Sequence, residues 1–578
     1  MDVGHNKKRA GSRSDGAYYS ALVTVDSSEI GSSTPPGPPP VPPSDVPPVS
    51  PGRRRLAINT AIFAAATALS RIAGLAREVV QASYFATSAA GSAFTVASQI
   101  PNLVSNLFSQ AALSAAFVPV FTDLLQQGRK REAFKLASEL FWLLLVVLGA
   151  LTIVYIALAG VIMPLFTGTT FSEATTVLTA GLSRVLFPVV MLLSLTGLLV
   201  GILQSYDEFT VPALAPAVWN IVIVALLVVL HGRFHGQDAV YAYAIAWLVA
   251  TVVQFLMIAG ALPKVEFRLS FSLNWRDPRI REVLILFLPV TISIGIINLD
   301  AFINAELGTL VSVHAPIAIN DAFRIYMLPQ GIFSVAVSTV LFPTLSRMAS
   351  RRDASGMRKT LGNGIRQINL LLIPSSALMA VLAIPITRLV YQHGAFHAAD
   401  TARVSTALFW FAFSLPFAGV NLLLTRTFFA LQRPWIPTKL AALNMIVDLI
   451  VSLALYKPLG VAGLIIGTVV ANVVMTFLQL RRLRIGFNGR LELGQTAMIT
   501  ARILIATAVC TVIGYFVWRG LDHLLGLSLI AQIVSMSVGL GAAGVAYGWL
   551  VLRMRVPEAR QIEQLVRSRF PGRSRATA

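Results

Sequence analysis

Between Ser70 and Gln81 the chain reads SRIAGLAREVVQ, placing two arginines and a glutamate inside a long apolar stretch. A charge at bilayer mid-depth costs roughly 2.5 to 3.5 kcal/mol or more, so such residues persist where they face a polar path. At about 100° per residue, Arg77, Ser70, Gln81, Gly74, Glu78 and Arg71 share one stripe about 120° wide. Ile72, Leu75, Ala76, Val79 and Val80 cover the remaining circumference. That pattern describes a helix with a polar cavity in front and lipid or packed helices behind. Guanidinium groups hold phosphate oxygens in bidentate fashion and stay charged when desolvated, so the stripe points to a phosphate-bearing ligand within the membrane. Arg324, in NDAFRIYMLPQG, follows Asp321 by three residues on nearly the same face. It either pairs with Asp321 or brings a third guanidinium to the cavity.

A second group is acidic and amide-bearing. Asn444 and Asp448 are four apart in LNMIVDLI, so they project from one face; Asp300 stands alone in INLDAFIN, and Thr468 lies in LIIGTVV. Carboxylates, an amide oxygen and a hydroxyl are hard ligands for a small cation. The alternative is that each bonds a neighbouring helix. Arg184 and Arg426 read as interhelical partners or snorkelling side chains. No GxxxxGK[ST], HExxH or CxxC motif occurs, and most histidines fall in short connections or the N-terminal tail, so the enzyme readings are poor. The single cysteine, Cys510, lies in an apolar segment; it excludes a disulfide framework within this chain and is expected to be a buried small hydrophobe.

The elements that must position these groups are membrane spans. A chain of 578 residues that is 56% hydrophobic and 12% charged, with a mean hydropathy of +0.73, has too little polar surface for a soluble globule. Fourteen apolar segments between residues 56 and 552 are long enough to span. Several contain Pro or Gly and are expected to bend, with their breaks facing a cavity. When alternate connections are assigned to one side, the opposite side holds only Arg233, Arg388, Arg403, Lys457 and Arg519. That asymmetry places both termini in the cytoplasm. It also accounts for most of the net charge of +20 and removes the case for nucleic-acid binding. SYDEFT, at 205–210, reads as a turn.

Residues 1–55 are expected to be a disordered, Pro-rich cytoplasmic tail, and residues 1–50 hold no apolar run of signal-peptide length, so no cleavable leader is expected. A weak repeat sets IPNLVSNLFSQAALSAAFVP against MLPQGIFSVAVSTVLFP, with Pro119 over Pro343. The economical plan is an all-α polytopic protein. It has an N-lobe (56–265), a C-lobe (266–484), two trailing spans (485–553) and a basic tail (554–578) that could lie on anionic lipid as a helix.

At SRIAGLARE, IPNLV, AFVP, GILQSYDEFTVPALAPAVWN and FRIYMLPQGIFSVAVSTVLFPTLSR the chain resembles the MurJ/MviN lipid II flippases of the MOP exporter superfamily. The resemblance implies fourteen helices in two six-helix lobes around a central cavity plus two C-terminal helices, a MATE-like fold. It implies a transporter rather than an enzyme, moving lipid II from the inner to the outer leaflet of the bacterial cytoplasmic membrane by alternating access for peptidoglycan synthesis. The alternative is a same-fold exporter of another polyprenyl-linked oligosaccharide or of drugs. Cell-wall synthesis or division proteins are the implied partners. The family's substrate-contacting residues match Arg71, Arg77, Glu78 and Arg324, and its sodium ligands look like Asp300, Asn444, Asp448, Thr468 and the carbonyl of Leu464. Ser92 and Ser105 stand where some members carry charges, which leaves more of the diphosphate to the first and eighth helices.

Overall fold

The computed structural model describes residues 51–107, 110–272, 274, 276–487, 492–560 and 563. The elements are α1 (Pro51–Phe85), α2 (Ala89–Leu107), α3 (Gln110–Gln126), α4 (Lys130–Phe166), α5 (Glu173–Leu186), α6 (Pro188–Ser205), α7 (Thr210–Leu230), α8 (Val240–Ala259) and α9 (Pro278–Val311). They continue as α10 (Ala315–Pro329), α11 (Val335–Ser350), α12 (Ala354–Val381), α13 (Ala383–Tyr391), α14 (Ala398–Ala430), α15 (Trp435–Leu459), α16 (Val461–Gly486), α17 (Leu493–Leu525) and α18 (Leu529–Arg553). No strand occurs among the described residues.

Among those residues, 11 helical stretches are long and apolar enough to cross a membrane. The three remaining sequence segments fall on α1, on α2 with α3, and on α9. The polar residues that α2 turns to the cavity, Thr95, Ser98, Gln99, Asn102 and Asn106, lower its apolarity. α3 has only 17 residues.

Local chemistry sets the helix ends. Asp277 and Pro278 open α9, with the Asp277 carboxylate accepting from Arg279 N at 2.9 Å. Asp353 caps α12 through Gly356 N at 2.8 Å. Gly460, at φ +56°, is the one residue between α15 and α16, and it closes that hairpin in a conformation a side chain would resist. SYDEFT is the turn between α6 and α7, with Asp207 in the left-handed region. Cys510 is buried, as expected.

The expected breaks are present: at Phe187 and Pro188, in a π-helical turn at Gln330–Ser334, and at Leu382. None of them lines the central cavity. Their backbone groups are satisfied locally instead, as by Phe187 N to Ser183 O at 2.9 Å and Leu382 N to Leu378 O at 2.8 Å, so no aqueous partner is needed.

Buried apolar clusters follow the two halves of the chain except at the start of the second, where Phe267 and, on α9, Ile280 and Val283 pack with the first half. Phe117, Leu140, Leu199 and Ile280 belong to one, and Phe94, Leu182, Ile223 and Tyr243 to another. Leu345, Leu408, Leu423 and Leu464 belong to a third, which reaches back into the first half only at Ala82 and Ala86 of α1. α17 and α18 pack on α12 through Leu370, Ile373, Ile503 and Val551. The start of the C-terminal tail joins them: Val556 is buried there, and Glu558 pairs with the buried Arg366 of α12. Residues 556–559 thus pack on protein, and most of the stretch expected to lie on lipid as a basic helix falls outside the described residues. The tail after residue 563 and the Pro-rich residues 1–50 lie outside the described residues.

Candidate functional site

The cavity between the halves has a volume of about 590 Å³ and takes its walls from α1, α2, α7, α8, α9, α10, α14 and α16. Arg77 and Glu78 form a buried ion pair on its α1 wall. Arg324 of α10 comes from the other half and places Nε 3.4 Å from the same Glu78 oxygen. The two guanidinium groups thus share one carboxylate, which offsets part of the cost of holding them at bilayer depth. Arg77 also lies over two indoles, 5.1 Å from the Trp219 ring and 5.4 Å from Trp247. Its Nε is buried and has no hydrogen-bond partner among the described residues. Tyr243 OH donates to Gln81 at 3.2 Å, which fixes the next turn of the stripe.

Two sequence readings are resolved here. Arg324 does not pair with Asp321; the Asp321 side chain is buried, and its Oδ2 is without a partner among the described residues. Arg71 shares the stripe of Arg77 but does not line the cavity. It is exposed, and its guanidinium comes up against Gly331 in the π-helical turn of the other half. Arg184 and Arg426 do act between helices, bonding Ile156 O at 3.2 Å and Thr339 Oγ1 at 2.9 Å.

The oxygen cluster assembles on α15 and α16. Asp448, 2% exposed, accepts from Thr468 Oγ1 at 3.2 Å and from Asn304 Nδ2 of α9 at 2.8 Å. Ser452 Oγ lies 3.0 Å from Asp448 Oδ1 and 3.1 Å from the Leu464 carbonyl oxygen, bridging the two. Asn444, one turn before Asp448, has a buried Oδ1 with no partner among the described residues. A Cβ at residue 467 would collide with Ser452 Oγ and Asp448, so only glycine lets α16 approach this closely. The Asp300 side chain lies outside the described ones. Asn304, Leu464 and Thr468 also line the central cavity, so the two groups picked out in the sequence open onto one chamber.

At the end of α1 away from the N-terminus, the halves are bonded together. Thr87 donates to Asp400, Arg403 Nη1 reaches both Thr87 Oγ1 and Asp400 Oδ1 at 3.0 Å, and Ala395 N donates to Ser83 O at 2.8 Å. Gly168 N and Thr170 Oγ1 close a second seam on Thr309 at 2.7 and 2.6 Å. Sequence reasoning missed this seam, as it missed Trp219, Trp247, Tyr243 and Asn304. Asn304 alone left a signal, standing four residues after Asp300 as Asp448 stands after Asn444.

Residues 81–535 match the family model described as lipid II flippase MurJ. The lipid II flippase MurJ of Burkholderia cenocepacia is 31% identical over 424 residues, which cover 72% of this chain and 82% of that protein. The probable lipid II flippase MurJ of Rickettsia prowazekii is 28% identical over 415 residues, 71% of this chain and 80% of its own. Among solved structures, a lipid II flippase MurJ in an inward closed conformation superimposes with a TM-score of 0.72 at 22% identity, covering 85% of this chain and 99% of that one. An inward-facing MATE family multidrug transporter of the MOP superfamily gives 0.61 at 16% identity, covering 72% and 94%. The fold is that of these transporters, and the extent of the family match settles membership: the chain belongs to the lipid II flippase MurJ family.

Proposed function

We propose that this protein flips lipid II from the inner to the outer leaflet of a bacterial cytoplasmic membrane by alternating access. The observation that carries the reading is the convergence of Arg77 and Arg324, one from each half, on Glu78 beside a single cavity. Guanidinium groups brought together from two halves that move against each other can grip a diphosphate in one state and loosen it in another. The polyprenyl chain stays in lipid while the headgroup occupies the chamber. The bonded seam at Thr87, Asp400 and Arg403 lies on the outer side if both termini are cytoplasmic, so this state faces inward. The reading includes fourteen crossings, with the lobes at 56–265 and 266–484 moving against each other. Family membership favours it over export of drugs or of other oligosaccharides.

Asp448, Thr468, Asn444 and the Leu464 carbonyl fit a small monovalent cation, because every donor is a hard oxygen and the Asn444 amide oxygen lacks a protein partner. A cation bound there would supply the positive charge that Asp448 otherwise lacks. Ser452 and Asn304 hold the carboxylate in place, and Thr468 turns the cluster toward the chamber.

The test is depletion of the resident flippase in a bacterium that expresses this chain, followed by a sidedness assay for lipid II. Externally accessible lipid II is expected with the wild type and not with Arg77→Ala or Arg324→Ala. Restoration by both variants would refute the reading.

A further inference from the structure

Six amide side chains line the chamber, Gln81, Gln99, Asn102, Asn106, Asn304 and Asn320, whereas its charged lining among the described residues is Arg77, Glu78 and Arg324 alone. The α2 members are not scattered. Thr95, Gln99, Asn102 and Asn106 fall at i, i+4, i+7 and i+11, one face of the helix. They extend about 16 Å from the level of Arg77 and Gln81 toward the end of the cavity away from the seam. That level is fixed by contact, since Phe94 packs on Tyr243 at 4.4 Å and on Trp247 at 5.6 Å, the two residues that also meet Gln81 and Arg77. Gln99 and Asn102 are half-buried and make no side-chain hydrogen bond among the described residues. From the other half, Phe323 presents a ring 37% exposed, backed by Tyr326 at 5.6 Å and Phe411 at 5.8 Å.

We propose that this amide edge, faced by Phe323, is a saccharide subsite that takes the N-acetylated amino sugar attached to the diphosphate. The proposal rests on the lipid-linked diphosphate reading above. A pyranose carries hydroxyl and acetamido groups around its rim, each able to donate and accept, and a primary amide answers both roles without a net charge. The C–H face of the same ring is apolar and packs on an aromatic ring. The unbonded amides of Gln99 and Asn102 on one wall and a supported phenyl ring on the other supply those two needs. The sugar is also the group joined directly to the distal phosphate, so it must occupy the space next to Arg77 and Arg324. The peptide stem bears carboxylates, and the edge offers them no cation.

Binding to the purified full-length chain in nanodiscs, followed by native mass spectrometry, separates the sources of affinity. The probes are undecaprenyl pyrophosphate, undecaprenyl-pyrophosphoryl N-acetylglucosamine without a peptide, and lipid II. Asn102→Leu and Gln99→Met are each expected to weaken the two sugar-bearing lipids about tenfold and to leave undecaprenyl pyrophosphate unchanged. Phe323→Ala should show the same discrimination, and it serves if an α2 variant fails to fold. Equal losses on all three probes, a loss on lipid II alone, or no loss on any would overturn the subsite. Arg77→Ala should weaken all three. If it does not, the diphosphate reading fails, whatever the α2 variants show.

Discussion

At the scale of single residues, angular position and depth carry different information. The 100° arithmetic places Arg71 and Arg77 on one stripe, and both do lie on one helix. They are six residues apart, however, about 9 Å along the axis, so Arg77 reaches the chamber while Arg71 meets Gly331 below it. No arithmetic on a lone helix shows where a cavity ends. Arg77→Lys is expected to cut lipid II translocation at least tenfold while the protein remains folded, because an ammonium keeps the charge but loses the planar fork and the indole stacking. A vesicle-based translocation assay checks this; full activity would mean that charge alone suffices. Asp448→Ala is expected to abolish any sodium response of growth in a depletion-complementation strain. An unchanged response would remove the cation from the mechanism.

At the scale of elements, most helices were legible because apolar runs of spanning length have few other uses, and the basic residues marked the connections. Which helices meet was not legible. Trp219 and Trp247 count as apolar in any hydropathy reading, and only the packing of α7 and α8 on α1 turns their faces to Arg77. The break positions were readable from Pro and Gly, but their orientation was not, since continuous local hydrogen bonds let them face protein. Gly467 gives an element-level test. Gly467→Ala should push α16 from α15, costing roughly 1 to 3 kcal/mol by overpacking and separating Thr468 from Asp448. Thermal unfolding in detergent would register the loss, and an unchanged melting temperature would contradict the close approach. The seam makes a second case. With Cys510→Ser as background, a Ser83→Cys/Ala395→Cys pair should cross-link across the halves, and Asp400→Ala should lower that yield severalfold by removing the acceptor shared by Thr87 and Arg403.

At the scale of the whole molecule, the trailing pair α17 and α18 is tied to the body through charge as well as apolar contact. Arg366 meets Glu558, Glu492 and Asn363, with Arg366 and Glu558 both buried. Arg366→Met alone is expected to cost about 3 to 5 kcal/mol by stranding Glu558, whereas Arg366→Met with Glu558→Leu should recover most of it. A double-mutant cycle on detergent-solubilised protein measures the difference, and additive losses would show that the pair does not interact.

The chamber's arrangement of two guanidinium groups against one carboxylate also has an electrical meaning. With no ligand bound, Arg77, Glu78 and Arg324 together carry net positive charge, and on the proposed reading a seated diphosphate diester makes that set net negative. Switching exposure of a loaded compartment outward sends negative charge away from the cell interior, and switching the empty one back returns positive charge toward it. With the interior negative, a voltage worth about 2.3 kcal/mol per charge per 100 mV favours both strokes. In the proposed cycle, a charge set whose sign inverts on loading makes voltage act as a rectifier, favouring one direction of turnover.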